Sequence, residues 1–176
     1  SEGLLTMMQR AGCAMICFGV ESGSPEILKT INKRITPDQI KNAFRLAHRI
    51  GIRTQATVMV GNPGDGGETI RQTEKLLDTI RPDYLWVSFA TLYPGTGLYE
   101  VAKDQGLIDD AYWASDLVAP VYLGAMSMPS MFYHKWRLSF HQMRRTRGIL
   151  RFARSFLSEV SPHRVRAGLR TMRPAR

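Results

Sequence analysis

The sequence predicts an α/β fold built on a parallel sheet, and three observations carry that expectation. Short apolar runs of strand length recur near Cys17, Thr57 and Val87, segments of helical spacing separate them, and each run stops at a loop rich in glycine or proline. Alternation of this kind is the pattern of βαβ units. A chain of 176 residues suffices for one sizeable core with an appendage.

The elements follow in order. Leu4, Leu5 and Met8 share one face at helical spacing, which predicts a first helix with these three turned inward. "AMICFGV" is a continuous apolar run of buried-strand length, and Ser24 before Pro25 and Glu26 reads as the cap of a short helix. Thr36, Pro37 and Gln39 form a second helix start, with a capping threonine, a proline in the first turn and glutamine three residues after the cap. Ile40, Ala43, Phe44, Ala47 and Ile50 continue it, and Gly51 supplies the stop. "TQATVMV" predicts a second strand, "ETIRQTEKLLDTI" a helix, "YLWVSFA" a third strand and "GLYEVAKDQG" a last helix. The strands are apolar at both parities, as strands covered on both faces are. Three strands alone would leave both sheet edges unpaired. Either another segment completes the sheet, or the chain is one portion of a barrel.

The formal charge of +9 is unevenly placed. Residues 1–133 hold 12 basic and 14 acidic side chains, whereas residues 134–176 hold 12 basic and one acidic, Glu159. Such a shift marks parts with different partners. The tail segment "RGILRFARSFLSEV" reads as an amphipathic basic helix. It is expected to lie against the body, with an anionic membrane surface as the next reading and nucleic acid as the third. No run of about 18 apolar residues predicts a membrane span, and the N-terminus lacks a secretory pattern. The expected location is the cytoplasm, with peripheral membrane contact through the tail left open. Because the sequence opens at Ser1 inside a predicted helix, it is expected to continue something longer.

Ligands in parallel α/β architectures sit at the carboxyl ends of the strands. The loops there are "ESGSPE", "GNPGDGGE" and "TLYPGTG". Read one at a time, they are tight turns with a helix cap; three at consecutive strand ends favour a binding site. Glu21 ending an apolar strand requires a partner, because an unpaired buried carboxylate is costly. Hydroxyl groups of a ligand, backbone N–H groups or an arginine of the barrel would each serve.

The blocks "AGCAMICFGVESGSPEILKTINKRIT", "GIRTQATVMVGNPGDGGETI" and "PDYLWVSFATLYPGTGLYEVAKDQGLI" resemble, in order and spacing, three successive blocks of the radical S-adenosylmethionine enzymes. The most similar branch carries an N-terminal cobalamin-binding domain. The resemblance covers Leu4 to about Ile108 and implies the later half, three βα units, of a partial (βα)6 TIM-like barrel. Residues 1–108 would be that portion, 109–130 an irregular connection and 131–176 a basic helical C-terminal extension. It also implies S-adenosylmethionine and a 4Fe-4S cluster as cofactors, with cobalamin open as another, and a radical methylation or cyclisation on a small molecule such as a lipid or tetrapyrrole. Carried over by position, Glu21, Ser22 and Ser24 would face the ribose or methionine part of the cofactor. Gly61, Asn62 and Gly64 would bring backbone to adenine, and Tyr93 would lie on the other side of the base. The sequence departs from the family pattern at Asn62, where many relatives have an aliphatic residue, and at Gly66, where many have a capping threonine.

Cysteine limits the chemistry. Three thiolates spaced CxxxCxxC hold the cluster of this family, leaving one iron for the cofactor. The chain has only Cys13 and Cys17, and Val20 stands where the third would be. Both cysteines read as small apolar residues in packing, with no disulfide framework. The cluster motif and the missing N-terminal barrel half are therefore expected upstream of Ser1, and the chain alone is expected to be inactive. The other function class is a non-catalytic module that kept the cofactor-facing loops and uses its tail for a membrane or RNA. No lysine and Ser/Thr pair follows the glycines of "GNPGDGGET", which excludes a P-loop. The scattered histidines His48, His134, His141 and His163 lack the ligand count of a metal site.

Overall fold

The computed structural model describes residues 1–114, 123–124 and 126–146, the last six by backbone alone. Helix α1 spans Glu2–Arg10, strand β1 Met15–Glu21, α2 Pro25–Thr30, α3 Pro37–Ile50, β2 Arg53–Val60, α4 Gly67–Ile80, β3 Tyr84–Phe89, α5 Gly97–Asp104 and α6 Met128–Thr146. A single 3-10 turn covers Tyr112–Ala114. The basic segment after Thr146 lies outside the described residues, so its predicted amphipathic helix does too.

The chain divides into two compact units, the first joining residues 1–90 to most of α6. Its sheet is parallel, in the order β1-β2-β3. Val58, Val60, Ala56 and Val87 turn to one face and bury against Ile40 and Phe44 of α3, Ile70, Leu76 and Leu77 of α4, and Met131 and Leu138 of α6. Phe18 tilts onto Phe44 with ring centroids 4.8 Å apart.

The opposite face is open, contrary to the expectation of cover on both sides. Met15 and Cys17 of β1 are exposed, and so is Trp86 of β3 at 60%. Cys17 is thus no packed apolar residue, because the strand's alternation puts it on the uncovered face; Cys13 is half-buried. Helix α1 forms as expected, yet Leu4 stays half exposed and only Leu5 and Met8 are partly sheltered.

Local chemistry fixes the helix ends. The Thr36 hydroxyl accepts from the Gln39 amide, and the Gln39 side chain accepts from the Thr36 amide at 2.8 Å, a complete capping box. Gly51, with φ of 84°, closes α3 in the left-handed conformation that glycine adopts without a Cβ penalty. At the opposite rim from the strand-end loops, Asp83 accepts from the Thr54 amide at 2.7 Å, and the Thr54 hydroxyl meets His48 Nε2 at 2.9 Å.

In the second unit, the Thr96 hydroxyl caps α5 by accepting from the Tyr99 amide. Tyr99 and Ala102 are buried, and the Tyr99 hydroxyl donates to the Asp109 carbonyl at 3.4 Å. Tyr93, itself 59% exposed, stacks on Trp113 with centroids 5.6 Å apart and planes 13° from parallel.

Candidate functional site at the carboxyl ends of the strands

Strand β1 ends on a strained acidic residue. Glu21 has φ of 62°, a left-handed conformation that costs a non-glycine residue of order 1 kcal/mol. Gly19 pairs with Thr57 and Glu21 with Val58, so Val20 is an inserted residue and the strand carries a bulge. Lys33 Nζ donates to Glu21 Oε1 at 3.0 Å, with the carboxylate side chain only 17% exposed. A Cβ on Gly19 would fall 2.6 Å from that oxygen and 2.8 Å from the Lys33 nitrogen. Gly19 is therefore the floor of the ion pair, on the open face of the sheet. Lys33 reaches it from a turn whose flanking residues, Asn32 and Arg34, also have positive φ, 54° and 53°. Strain concentrated around one charge pair is a property of functional sites.

The next three residues press against α4. The Gly23 amide donates to Thr73 Oγ1 at 2.9 Å, and a Cβ there would lie 2.5 Å from the Gln72 carbonyl oxygen. Ser22 is buried, its hydroxyl accepting from the Ser24 amide at 3.1 Å and meeting Thr73 Oγ1 at 3.4 Å. Ser24 occupies the cap position of α2 without a side-chain capping bond. These serines shape the loop under Glu21.

The β2 loop is organised by Asp65, which the sequence reading passed over. Its Oδ2 accepts from the Gly61 amide at 3.0 Å and the Asn62 amide at 2.9 Å, while Oδ1 accepts from the Thr69 hydroxyl at 3.0 Å. Gly61 and Gly64 have φ of 91° and 86°, which explains both glycines. Gly66, the weak cap, is compensated by Thr69 Oγ1, which accepts from its amide at 2.9 Å. A Cβ on Gly64 would touch Ile27 Cδ1 at 3.4 Å, so the second loop meets α2. Asn62 is fully buried, and its Oδ1 has no hydrogen-bond partner. An orphaned buried acceptor is uncommon and fits a ligand amine. Tyr93 belongs to the second unit.

Glu21, Lys33 and the Gly19 floor fit a small ligand bearing hydroxyl, ammonium and carboxylate groups, which includes S-adenosylmethionine. A 4Fe-4S cluster is another matter. Among the described residues no group of three His, Cys, Asp or Glu side chains could hold a metal, and the two cysteines are one thiolate short.

Ligands of parallel α/β folds bind at the carboxyl ends of the strands, and the strained, polar rim lies at that end of this sheet. Comparison points to a class: residues 2–79 match the Radical SAM superfamily model. It is 34% identical to an uncharacterized methyltransferase of Pyrococcus horikoshii over 64% of its length and 25% of that protein's. Identity to the anaerobic magnesium-protoporphyrin IX monomethyl ester cyclase of Cereibacter sphaeroides is 30%, over 67% of the chain and 19% of the cyclase. The chain thus spans a quarter or less of these curated relatives. Its fold is similar to coproporphyrinogen III oxidase from Escherichia coli, a Radical SAM enzyme, with TM-score 0.58, 19% identity, and coverage of 83% of this chain and 30% of that one. It is also similar to a radical S-adenosylmethionine methyltransferase from Kitasatospora setae with cobalamin and cluster bound. There the TM-score is 0.53 and identity 24%, over 59% of this chain and 20% of that one.

The resemblance read from the sequence is borne out at the level of superfamily and α/β fold. Glu21 ends strand β1, and its partner in the structure is Lys33. Lys33 was missed, because its partner lies twelve residues earlier in the chain; the cation-bearing turn "NKR" after the helix was the available signal.

Proposed function

We propose that the chain forms the later part of a Radical SAM barrel and that its first strand-end loops hold S-adenosylmethionine. The observation that carries this is the Glu21–Lys33 pair over Gly19, at the carboxyl end of a parallel strand. An opposed carboxylate and ammonium complement a ligand with hydroxyls at one end and an amino-acid head at the other. Glu21 accepts from the ribose hydroxyls, and Lys33 pairs with the methionine carboxylate. Ser22 and Ser24 hold the loop in place, Gly61 and Gly64 keep the second loop thin beside adenine, and Asn62 Oδ1 accepts from the adenine amine.

Reductive cleavage of the sulfonium is chemistry that a bound 4Fe-4S cluster supplies, and its thiolates would come from beyond the described residues. The names of the relatives support methylation or cyclisation on a small molecule as the reaction class, with tetrapyrroles the first substrates to try. The cobalamin-bound neighbour supports cobalamin as the second cofactor to test. The uncovered sheet face, with Cys17 and Trp86 exposed, supports an N-terminal barrel half as its natural cover.

Calorimetric titration of the 176-residue chain with S-adenosylmethionine tests the cofactor role. Saturable binding is expected, and Lys33→Met should weaken it roughly 10- to 100-fold, as loss of a hydrogen bond to a charged group does. Binding equal in wild type and Lys33→Met, or absent in both, defeats the proposal. Anaerobic reconstitution with iron and sulfide should give no stoichiometric cluster; a full cluster would contradict the assignment of its ligands elsewhere.

A further inference from the structure

The start of α6 and the residues before it close over the β2 strand-end loop. Met131 is fully buried, and a Cβ on Gly61 would fall 2.5 Å from its sulfur. Gly124 comes as near from another direction: a Cβ there would sit 3.0 Å from the Gly61 carbonyl oxygen and 3.1 Å from that of Asn62. Asp65 holds the same two residues by their amides. The Gly61–Asn62 peptide is thus held by its N–H groups on one side and pressed on its carbonyls and Cα on the others.

A second anchor fixes α6 to the helix that this loop opens. Arg137 donates through Nε and Nη2 to the two carboxylate oxygens of Glu74, at 2.5 and 2.7 Å. This bidentate geometry resists sliding as well as separation. Arg137 lies six residues beyond Met131, about 9 Å along the axis. Phe132 meets Phe89 of β3 edge to face at 5.0 Å, and Leu138 is fully buried. Loop, α4 and α6 therefore close a triangle whose corners are Gly61, Glu74 and the helix between Met131 and Arg137.

Two left-handed glycines in four residues make the isolated loop soft. We infer that Gly124 and residues 126–137 form a strap that sets the position of the Gly61–Asp65 turn, with Met131 and Arg137 as positioning residues for the adenine side of the cofactor site. The functional half of this inference rests on the S-adenosylmethionine reading; the mechanical half does not. The strap makes part of the C-terminal region a component of the binding site, at a distance of many residues in sequence.

The test uses the 176-residue chain with Met131→Ala, Arg137→Met and the conservative Met131→Leu. Hydrogen exchange of a peptide covering residues 60–66 should accelerate about tenfold in the first two and stay near wild type in the third. The peptide covering α1 and β1 should not change. Affinity for 5′-deoxyadenosine should fall in the first two variants, while affinity for free methionine, held at Lys33, should not. Unchanged exchange over residues 60–66 overturns the strap. Faster exchange everywhere, or equal loss of both ligands, shows plain destabilisation and overturns the positioning role. If the wild type binds neither ligand, the cofactor reading has failed, and the exchange result alone decides the strap.

Discussion

Replacing Gly23 by alanine probes the loop beneath Glu21, and its cost can be worked from the structure. The added Cβ would lie 2.5 Å from the Gln72 carbonyl oxygen, 2.6 Å from Thr73 Cα and 2.8 Å from the Gln72 carbonyl carbon. All three are backbone atoms of α4, so no side chain can rotate away. Either the loop or the helix must retreat by roughly half an ångström or more, and such overpacking costs about 1–3 kcal/mol. Retreat also stretches the 2.9 Å bond from the Gly23 amide to Thr73 Oγ1, and leaving a buried donor unpaired costs about 1–3 kcal/mol. The sum is about 2–6 kcal/mol. With m near 2 kcal/mol/M, the urea midpoint should fall by about 1–3 M. The same change at Gly3, inside α1 with nothing within 4 Å of the new Cβ, should raise stability by about 0.5–1 kcal/mol. A Gly23→Ala midpoint within about 0.3 M of wild type, at unchanged m, would refute the claim that loop and helix are in rigid contact.

Two further outcomes follow from local geometry. Thr36→Ala removes the hydroxyl half of the capping box and should cost about 1 kcal/mol in urea unfolding. His134, buried on α6, has its pKa lowered first by burial and then by Arg137, against smaller opposing effects of Glu74 and Asp65. A base with a depressed folded pKa binds fewer protons folded than unfolded, so stability is lost as pH falls from the unfolded value of about 6.5 toward the folded one. His134→Phe should flatten the stability profile below about pH 6.5, measured by urea midpoints across pH; an unchanged slope would show that the proton goes elsewhere.

The parts of the fold legible in the sequence are those decided within a few residues. Thr36 and Gln39 announce a helix start because both capping bonds close inside four residues, and Gly51 announces its end because only backbone conformation is at stake. The three strands were legible from their apolar runs. What could not be read is what depends on distant chain. The Cys17 alternation was masked by a run apolar at both parities, so the open face looked like a covered one. Lys33 finds Glu21 only because the sheet and the turn after α2 bring them together. Asp65 stands among glycines with no local sign of its role, yet it accepts from the Gly61 and Asn62 amides, the Asn62 side-chain amide and the Thr69 hydroxyl. The contact of Met131 with Gly61 spans seventy residues and leaves no local sign beyond the glycine itself.

The bulge at Val20 bears on how length variation in this strand should be interpreted. In regular register Glu21 would stand opposite Met59; the extra residue sets it opposite Val58 instead, one strand rise of about 3.3 Å nearer the base of the sheet. Deleting Val20 would restore a regular ladder and keep the carboxylate at that height. It would also reverse the parity, turning the acid away from Lys33 and into the aliphatic layer around Phe44 and Val58. A single-residue gap here is therefore no neutral shortening, and any alignment that places one across Gly19–Glu21 predicts a sheet with its acid on the wrong side.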